Sequence, residues 1–115
     1  MKIITPSSTL PLSELTIMAE TLFGNFVKAV VDIEKNIMML DAELHADLES
    51  MLLEQGSDQE NLWGINFYPE VSGDDFIEFD SMINVRPSAN NRSRSVENVD
   101  IQKKIRVLVE KLIVT

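Results

Sequence analysis

Several residue types that carry recognisable chemistry are absent from this sequence or scarce in it. The chain has no cysteine, which excludes a disulfide framework, a thiolate metal site and a cysteine nucleophile, and which fits a reducing compartment. Its four glycines are never clustered, so phosphate-loop and dinucleotide-binding fingerprints are excluded. A serine nucleophile finds little support, because it would need His45, the only histidine, as its base and no serine stands in a GxSxG context.

Long apolar runs are also missing. No stretch approaches the ~20 apolar residues that cross a bilayer. Residues 1–5 lack the basic region and the apolar run of a signal peptide. We therefore expect a cytoplasmic protein that does not enter a membrane. With 115 residues, 44% of them hydrophobic and 25% charged, and with no repeat or linker, the chain is typical of one globular domain spanning residues 1–115.

Positive charge is scarce and unevenly placed. The formal net charge is -9, which disfavours binding to nucleic acid or to an anionic membrane. Residues 1–31 are neutral, residues 32–80 carry fourteen acids against one lysine, and residues 86–115 carry seven basic residues against three acids. The last segment therefore has the opposite sign to the middle one, and we expect any anion-binding function to lie there.

Hydrophobic periodicity predicts three helices and five strands. Leu12, Leu15, Ala19 and Leu22 recur at helical spacing and predict a helix over about 11–23. Similar patterns predict helices over 42–55 and from 101 onward. Asp100 is well placed to cap the last helix, and 88–99 reads as a surface loop with little to bury. Alternating or β-branched runs predict strands over 2–5, 26–34, 37–41, 62–68 and 76–85.

The element order β-α-β-β-α-β-β-α indicates an α+β fold. Short links between paired strands predict a mostly antiparallel sheet of four to five strands with the helices packed on one face. Alternation in the last strand places Ile77, Phe79, Ile83 and Val85 together on the apolar side.

Four strings carry a resemblance to a known family. They are KAVVDIEK (28–35), ELHAD (43–47), NLWGINFYP (61–69) and FIEFDSMINVRPSANNRSRSVEN (76–98). Over nearly its whole length the chain resembles a small family of prokaryotic proteins of unknown function. The resemblance implies a single compact domain and brings no reaction, ligand or catalytic residue.

Three clusters of polar residues are candidate sites. The first is the polar side of the sheet, where crowded carboxylates could serve catalysis or hold a cation such as Mg²⁺; a solvated outer face is the alternative. The candidate catalytic residues are Asp32, Glu34, Glu78 and Asp80, with Asn66, Tyr68, Asn84 and Arg86 beside them.

The second cluster contains the single histidine. On a strand, Glu43, His45 and Asp47 would share one face and could ligate a divalent metal. On a helix they would not, and the acids would instead favour the helix dipole. Because the segment reads as the start of a helix, we expect no metal and no cofactor.

The third cluster is basic. Arg86, Arg92 and Arg94, with Asn84 nearby, predict an anion-binding loop, because guanidinium groups match phosphate and carboxylate geometry. The loop could equally be solvated, or its arginines could pair with acids of the middle segment.

Two classes of function follow, and a third, an RNA-binding or RNA-cleaving fold, fits the size of the chain but is opposed by its charge. The first is a non-catalytic binding, regulatory or assembly module that docks a protein partner or a second copy through charge complementarity. The alternative is a metal-assisted hydrolase or phosphoryl-handling enzyme that combines the carboxylates with the arginine loop.

Overall fold

Three helices and seven short strands make up the structure, a computed structural model that describes residues 1–115. The helices are α1 (Leu12–Leu22), α2 (His45–Glu54) and α3 (Val99–Leu112). None of them combines the length and the apolar character that a bilayer crossing requires. The strands are β1 (Lys2–Ile4), β2 (Leu10–Pro11), β3 (Val27–Asp32), β4 (Ile37–Leu40), β5 (Leu62–Phe67), β6 (Ile77–Glu78) and β7 (Ile113–Val114).

The predicted α+β fold with an antiparallel sheet is confirmed. Five strands pair in the order β1-β4-β3-β5-β6, and every pair is antiparallel. The hairpin between β3 and β4 closes at Asn36, whose positive φ of 58° is a conformation that asparagine tolerates better than most residues. A separate parallel pair joins β2 to β7.

The helices lie on both faces of the sheet, so the expectation that all pack on one face is wrong. On one face, α1 and α3 cover the side chains that alternate along β3 and β5, including Val31, Trp63 and Ile65. On the other face, Leu48 and Leu52 of α2 pack on Val30, Met39 and Leu62. The strands β3 and β5 carry apolar residues on both sides because each side has a helix to cover it.

The helices begin and end close to their predicted limits. Gly24 follows α1 with a φ of 97°, the left-handed backbone that ends many helices. The second helix begins at His45, so Glu43 precedes it. The third helix is capped by Asn98, not by Asp100: the Asn98 side chain accepts hydrogen bonds from the backbone N–H groups of Asp100 and Ile101.

The last predicted strand is mostly absent. Only Ile77 and Glu78 pair with β5, and the chain then crosses the edge of the sheet. Ile77 packs in the core under α1 and α3, whereas Ile83 packs on the α2 side. The prediction that these two side chains share a face is therefore wrong, because a 3₁₀ turn at Met82–Asn84 reverses the alternation.

Candidate functional site

The segment that crosses the edge of the sheet is fixed to β5 by the side chain of Asn84. Its Oδ1 accepts a hydrogen bond from Gly64 N at 2.8 Å, and its Nδ2 donates to Gly64 O at 2.9 Å. The Asn84 amide thus replaces the backbone partner that a longer β6 would have supplied. Ser81 lies against Gly64 so closely that a Cβ on Gly64 would be 2.5 Å from the Ser81 Cβ. Asn84 and Ser81 are both fully buried.

Residues 86–97, which we call the arginine loop, are organised around a second buried asparagine. Asn91 Nδ2 donates to Asn84 O and to Ser95 O, both at 2.7 Å, and its Oδ1 accepts from Glu97 N at 2.9 Å. Arg86 and Asn91 also form an antiparallel backbone bridge. The predicted surface loop therefore buries some of its own side chains, among them Asn91 and the fully buried Val96.

Glu97 orders the tip of the loop. One of its carboxylate oxygens accepts hydrogen bonds from the backbone N–H groups of Arg92 and Ser93, each at 2.8 Å. Hydrogen bonding from the Ser93 side chain, and then from the backbone N–H groups of Ser93 and Arg92, lowers the pKa of Glu97 below its ordinary value. The carboxylate is therefore ionised at neutral pH and holds in place the backbone of Arg92 and Ser93, the two residues that precede Arg94.

Arg86 acts as a structural tie in this arrangement. Its Nη1 donates to Gln59 O at 2.6 Å and its Nη2 donates to Leu62 O. Its guanidinium carbon lies 4.2 Å from the centroid of the Trp63 ring. Burial lowers the pKa of Arg86, although an arginine so shifted remains charged at neutral pH. The guanidinium that was a candidate anion ligand thus already holds the start of the arginine loop against β5.

Arg92 and Arg94 point outward. Arg94 donates its Nε to Asp80 Oδ1 at 2.6 Å, in an ion pair whose two side chains are 55% and 44% exposed. The exposed Arg92 guanidinium makes no hydrogen bond or ion pair within the chain. Of the four predicted anion-binding residues, Asn84 and Arg86 build the loop, and Arg92 and Arg94 are presented by it.

The candidate carboxylates occupy two separate places. Asp32 is fully buried at the end of β3, where its Oδ1 accepts from Glu34 N and Lys35 N and its Oδ2 accepts from Ser57 Oγ at 2.6 Å. The side chain of Glu34 is exposed in the adjoining turn. These two residues shape the β3–β4 hairpin and do not reach the other pair.

Glu78 and Asp80 lie together at the far end of β5. Asn66 Nδ2 donates to Glu78 Oε1 at 2.9 Å and to Asp80 O at 3.2 Å, and Tyr68 donates its hydroxyl to the same Glu78 oxygen. Burial, followed by the charge of Glu78, raises the pKa of Tyr68. Asn66, Tyr68 and Glu78 thus form a hydrogen-bonded group that Asp80 links to Arg94.

His45 is separated from its predicted companions. It is buried at the start of α2, with Nε2 at 2.9 Å from Ile65 O, and burial lowers its pKa. Glu43 and Asp47 are exposed on either side of it. No three of the histidine and carboxylate side chains are grouped in a way that could hold a metal ion.

Sequence reasoning missed Asn91 and Glu97, the residues that give the arginine loop its shape. The signal that could have found them is an asparagine-rich run without glycine, because asparagine both tolerates left-handed backbone and bonds nearby backbone groups. Asn90 adopts that conformation, with a φ of 59°.

Similarity to known proteins is found at the level of a family. No curated protein and no solved structure matches this chain. The family described as "Protein of unknown function (DUF5674)" matches residues 2–112, which is almost the full length. The chain therefore belongs to the DUF5674 family of proteins of unknown function.

Proposed function

We propose that this protein is a non-catalytic, cytoplasmic binding module whose arginine loop recognises a carboxylate or a phosphate group on a partner protein. The observation that carries the proposal is the state of Arg92. Its guanidinium is exposed and unpaired, while its own backbone N–H is held by Glu97. A side chain in this position is available to a ligand and needs no rearrangement of the loop.

The fixed shape of the loop supports recognition. Binding costs less free energy when the residues that make the contact are already ordered. Here the amide of the buried Asn84 donates to Gly64 O of β5 and to Arg94 O of the loop, and the amide of the buried Asn91 donates to Ser95 O. Arg86, the first residue of the loop, donates to Leu62 O of β5. Arg92 and Arg94 are therefore displayed at a defined spacing.

The charge of the surroundings supports selectivity. Arg94 is already paired with Asp80 on the surface, so an incoming anion competes with one carboxylate and meets an acidic body beyond it. A strongly charged polyanion such as nucleic acid is repelled by that body. A short acidic or phosphorylated segment of a protein fits the small basic area better.

The test is binding of fluorescein-labelled peptides, one rich in glutamate and one containing phosphoserine, measured by fluorescence anisotropy. A hydrogen bond to a charged group contributes about 1.5–3 kcal/mol, so we expect Arg92→Ala to raise the Kd about tenfold or more. Arg92→Lys should recover only part of the affinity, because an ammonium lacks the planar pair of donors. The peptide that binds more tightly identifies the anion.

The matched control is Lys2→Ala. Lys2 is also an exposed basic residue, but it lies on β1 at the opposite edge of the sheet and pairs with Glu14. The Lys2→Ala variant removes the same charge as Arg92→Ala. It should leave the Kd within about twofold of the wild-type value, because charges beyond a Debye length of ~10 Å are largely screened. Equal effects of the two variants, or no binding of either peptide, would overturn the proposal.

The enzyme hypothesis receives no comparable support. It requires Glu34, Glu78 and Asp80 around one cation, and the structure places Glu34 in the β3–β4 turn, away from the other two. We therefore propose no second function.

A further inference from the structure

A lysine-lined groove lies on the face of the molecule opposite α2. It runs between the turn of the β3–β4 hairpin and α3 and has a volume of about 360 Å³. Ile33 and Leu108 lie at its apolar base, and Val107, which is 51% exposed, stands at its edge. The remaining lining residues are Asn36, Lys103, Lys104 and Lys111.

This groove is the largest concentration of unpaired positive charge in the chain. None of its three lysines forms an ion pair within the molecule, although the whole chain has a net charge of -9. Their ammonium groups are therefore free to meet carboxylates from outside. Basic residues around a small apolar edge are complementary to a partner surface that carries acidic residues.

The outer face of α2 has the matching pattern in the opposite sign. Asp47 and Glu54 are exposed seven residues apart, which is two helical turns or about 10.5 Å along the axis. Lys104 and Lys111 are exposed at the same spacing on α3. Leu53, which is 39% exposed, lies about 100° around the helix axis from Glu54 and supplies an apolar contact to one side of the acidic pair.

We propose that the lysine groove binds the outer face of α2 from a second copy of this chain. Complementary spacing selects this occupant over an unrelated acidic segment, because both halves of the contact are already present in one molecule and both are exposed. Four charges can pair, Asp47 and Glu54 of one copy with Lys104 and Lys111 of the next.

The arrangement of the two surfaces predicts the kind of assembly. Because α2 and α3 cover opposite faces of the sheet, the contact joins the groove of one copy to α2 of the next. Every dimer is therefore left with one free groove and one free α2 face. Such head-to-tail contacts extend into chains or rings rather than stopping at two copies. A contact limited to one helix face is small, so we expect association to be weak and reversible.

Sedimentation velocity at rising protein concentration tests this. At about 50 mM salt and about 1 mM protein we expect the weight-average mass to be at least about twice the 13.0 kDa of the monomer. At about 0.5 M salt, where the Debye length is roughly 4 Å, it should return to the monomer value. A mass of 13.0 kDa under both conditions would overturn the proposal.

Charge reversal assigns the surfaces. K104E/K111E and D47K/E54K should each remain monomeric alone, because each then opposes like charges across the contact. An equimolar mixture of the two should associate again, since the groove of each variant now has the opposite sign to α2 of the other. All four positions are exposed and free of side-chain hydrogen bonds, and circular dichroism checks that the variants fold.

K2E/R92E is the control, since it changes the net charge as much as K104E/K111E does. It should self-associate as the wild type does while losing the peptide binding attributed to the arginine loop, so the two proposals fail separately. If K104E/K111E associates like the wild type, or if the charge-swapped mixture stays monomeric, the groove is not the contact.

Discussion

At the scale of single residues, Gly64 is the glycine of this chain that another segment approaches most closely, through Ser81. Gly64 lies in the middle of β5 opposite Val30, and glycine in a strand normally costs about 0.5–1 kcal/mol relative to alanine. Its presence there is explained by the chain that crosses it, since a Cβ would be 2.5 Å from Ser81 Cβ and 2.6 Å from Ser81 Oγ. No side chain larger than hydrogen fits beneath that crossing.

We therefore expect Gly64→Ala to destabilise the protein by about 1–3 kcal/mol, the usual cost of overpacking, although strand propensity alone favours alanine. The second variant is G64A/S81G, in which both clashing atoms of Ser81 are gone. Urea unfolding of the wild type, the two single variants and the double variant measures the coupling. The double variant should be as stable as Ser81→Gly alone, and strictly additive losses would refute the steric account.

The same amino acid at nearby positions has different roles in this chain. Asn84 and Asn91 are buried and satisfy backbone groups, Asn90 provides a left-handed turn, and Asn98 caps α3. Composition identifies the region as a loop but does not distinguish these roles. Each depends on which backbone group lies within reach, and that is a property of the folded chain.

At the scale of elements, Arg86 is the tie that joins the arginine loop to the start of β5. Removing it with Arg86→Ala leaves the Leu62 carbonyl without its guanidinium donor and uncovers the Trp63 ring. It also takes from the Gln59 carbonyl one of two donors, the other being the Leu62 backbone N–H. We expect a loss of about 2–4 kcal/mol in the free energy of unfolding, from two charge-assisted hydrogen bonds and a cation–π contact.

Arg86→Lys should restore less than half of that loss, because one ammonium cannot serve two carbonyls with the geometry of a guanidinium. Guanidinium chloride titration of both variants gives the values, and Arg92→Ala serves as the reference because the exposed Arg92 side chain makes no hydrogen bond or ion pair within the chain. If Arg86→Ala unfolds at the same denaturant concentration as Arg92→Ala, Arg86 does not tie the loop.

Hydrophobic periodicity predicted the helices and the central strands because their burial follows the period of the backbone. Leu12 to Leu22, for example, buries Leu15 and Ala19 at helical spacing. Periodicity failed between Phe79 and Val96. There the amides of Asn84 and Asn91 replace backbone pairing, and a 3₁₀ turn moves Ile83 to the other face of the sheet. Neither feature produces a regular spacing of apolar residues in the sequence.

The candidate site was predictable only as far as the local sequence determines it. The charge of the last segment indicated a basic loop, and Arg92 and Arg94 are exposed on it. The sequence could not show that the side chains of Arg86 and Asn84 already form hydrogen bonds with backbone groups. Their partners, Gln59 and Gly64, are distant along the chain. The face expected to gather carboxylates is instead partly covered by α2.

At the scale of the whole molecule, the sheet separates opposite charges. The long acidic segment places α2 and its exposed acids on one side, and α3 places its lysines on the other. The buried histidine at the start of α2 lies beneath the acidic side, with Lys28 and Asp80 as the charged groups that influence its pKa. Folding thus couples the position of α2 to the protonation of one residue.

We expect the buried His45 to make the stability of the protein depend on pH. Burial lowers its pKa in the folded protein, while the unfolded chain keeps the ordinary value near 6.5. Below that value the unfolded state binds a proton that the folded state resists, so the free energy of unfolding falls as the pH falls. The stabilising effect is complete above about pH 6.5 and is lost on acidification, with a slope of at most about 1.4 kcal/mol per pH unit for one group.

Thermal unfolding of the wild type and of His45→Gln between about pH 5 and pH 7.5 tests this, because glutamine keeps an N–H donor for Ile65 O but does not titrate. Carboxylates contribute mainly at lower pH: the lowered pKa of Glu97 makes its contribution fall away as acidification passes through that pKa. We expect the Tm of the wild type to decline from pH 6.5 to pH 5 more steeply than that of His45→Gln. Parallel curves would show that His45 is protonated as readily in the folded chain as in the unfolded one, and would remove this link between α2 and pH.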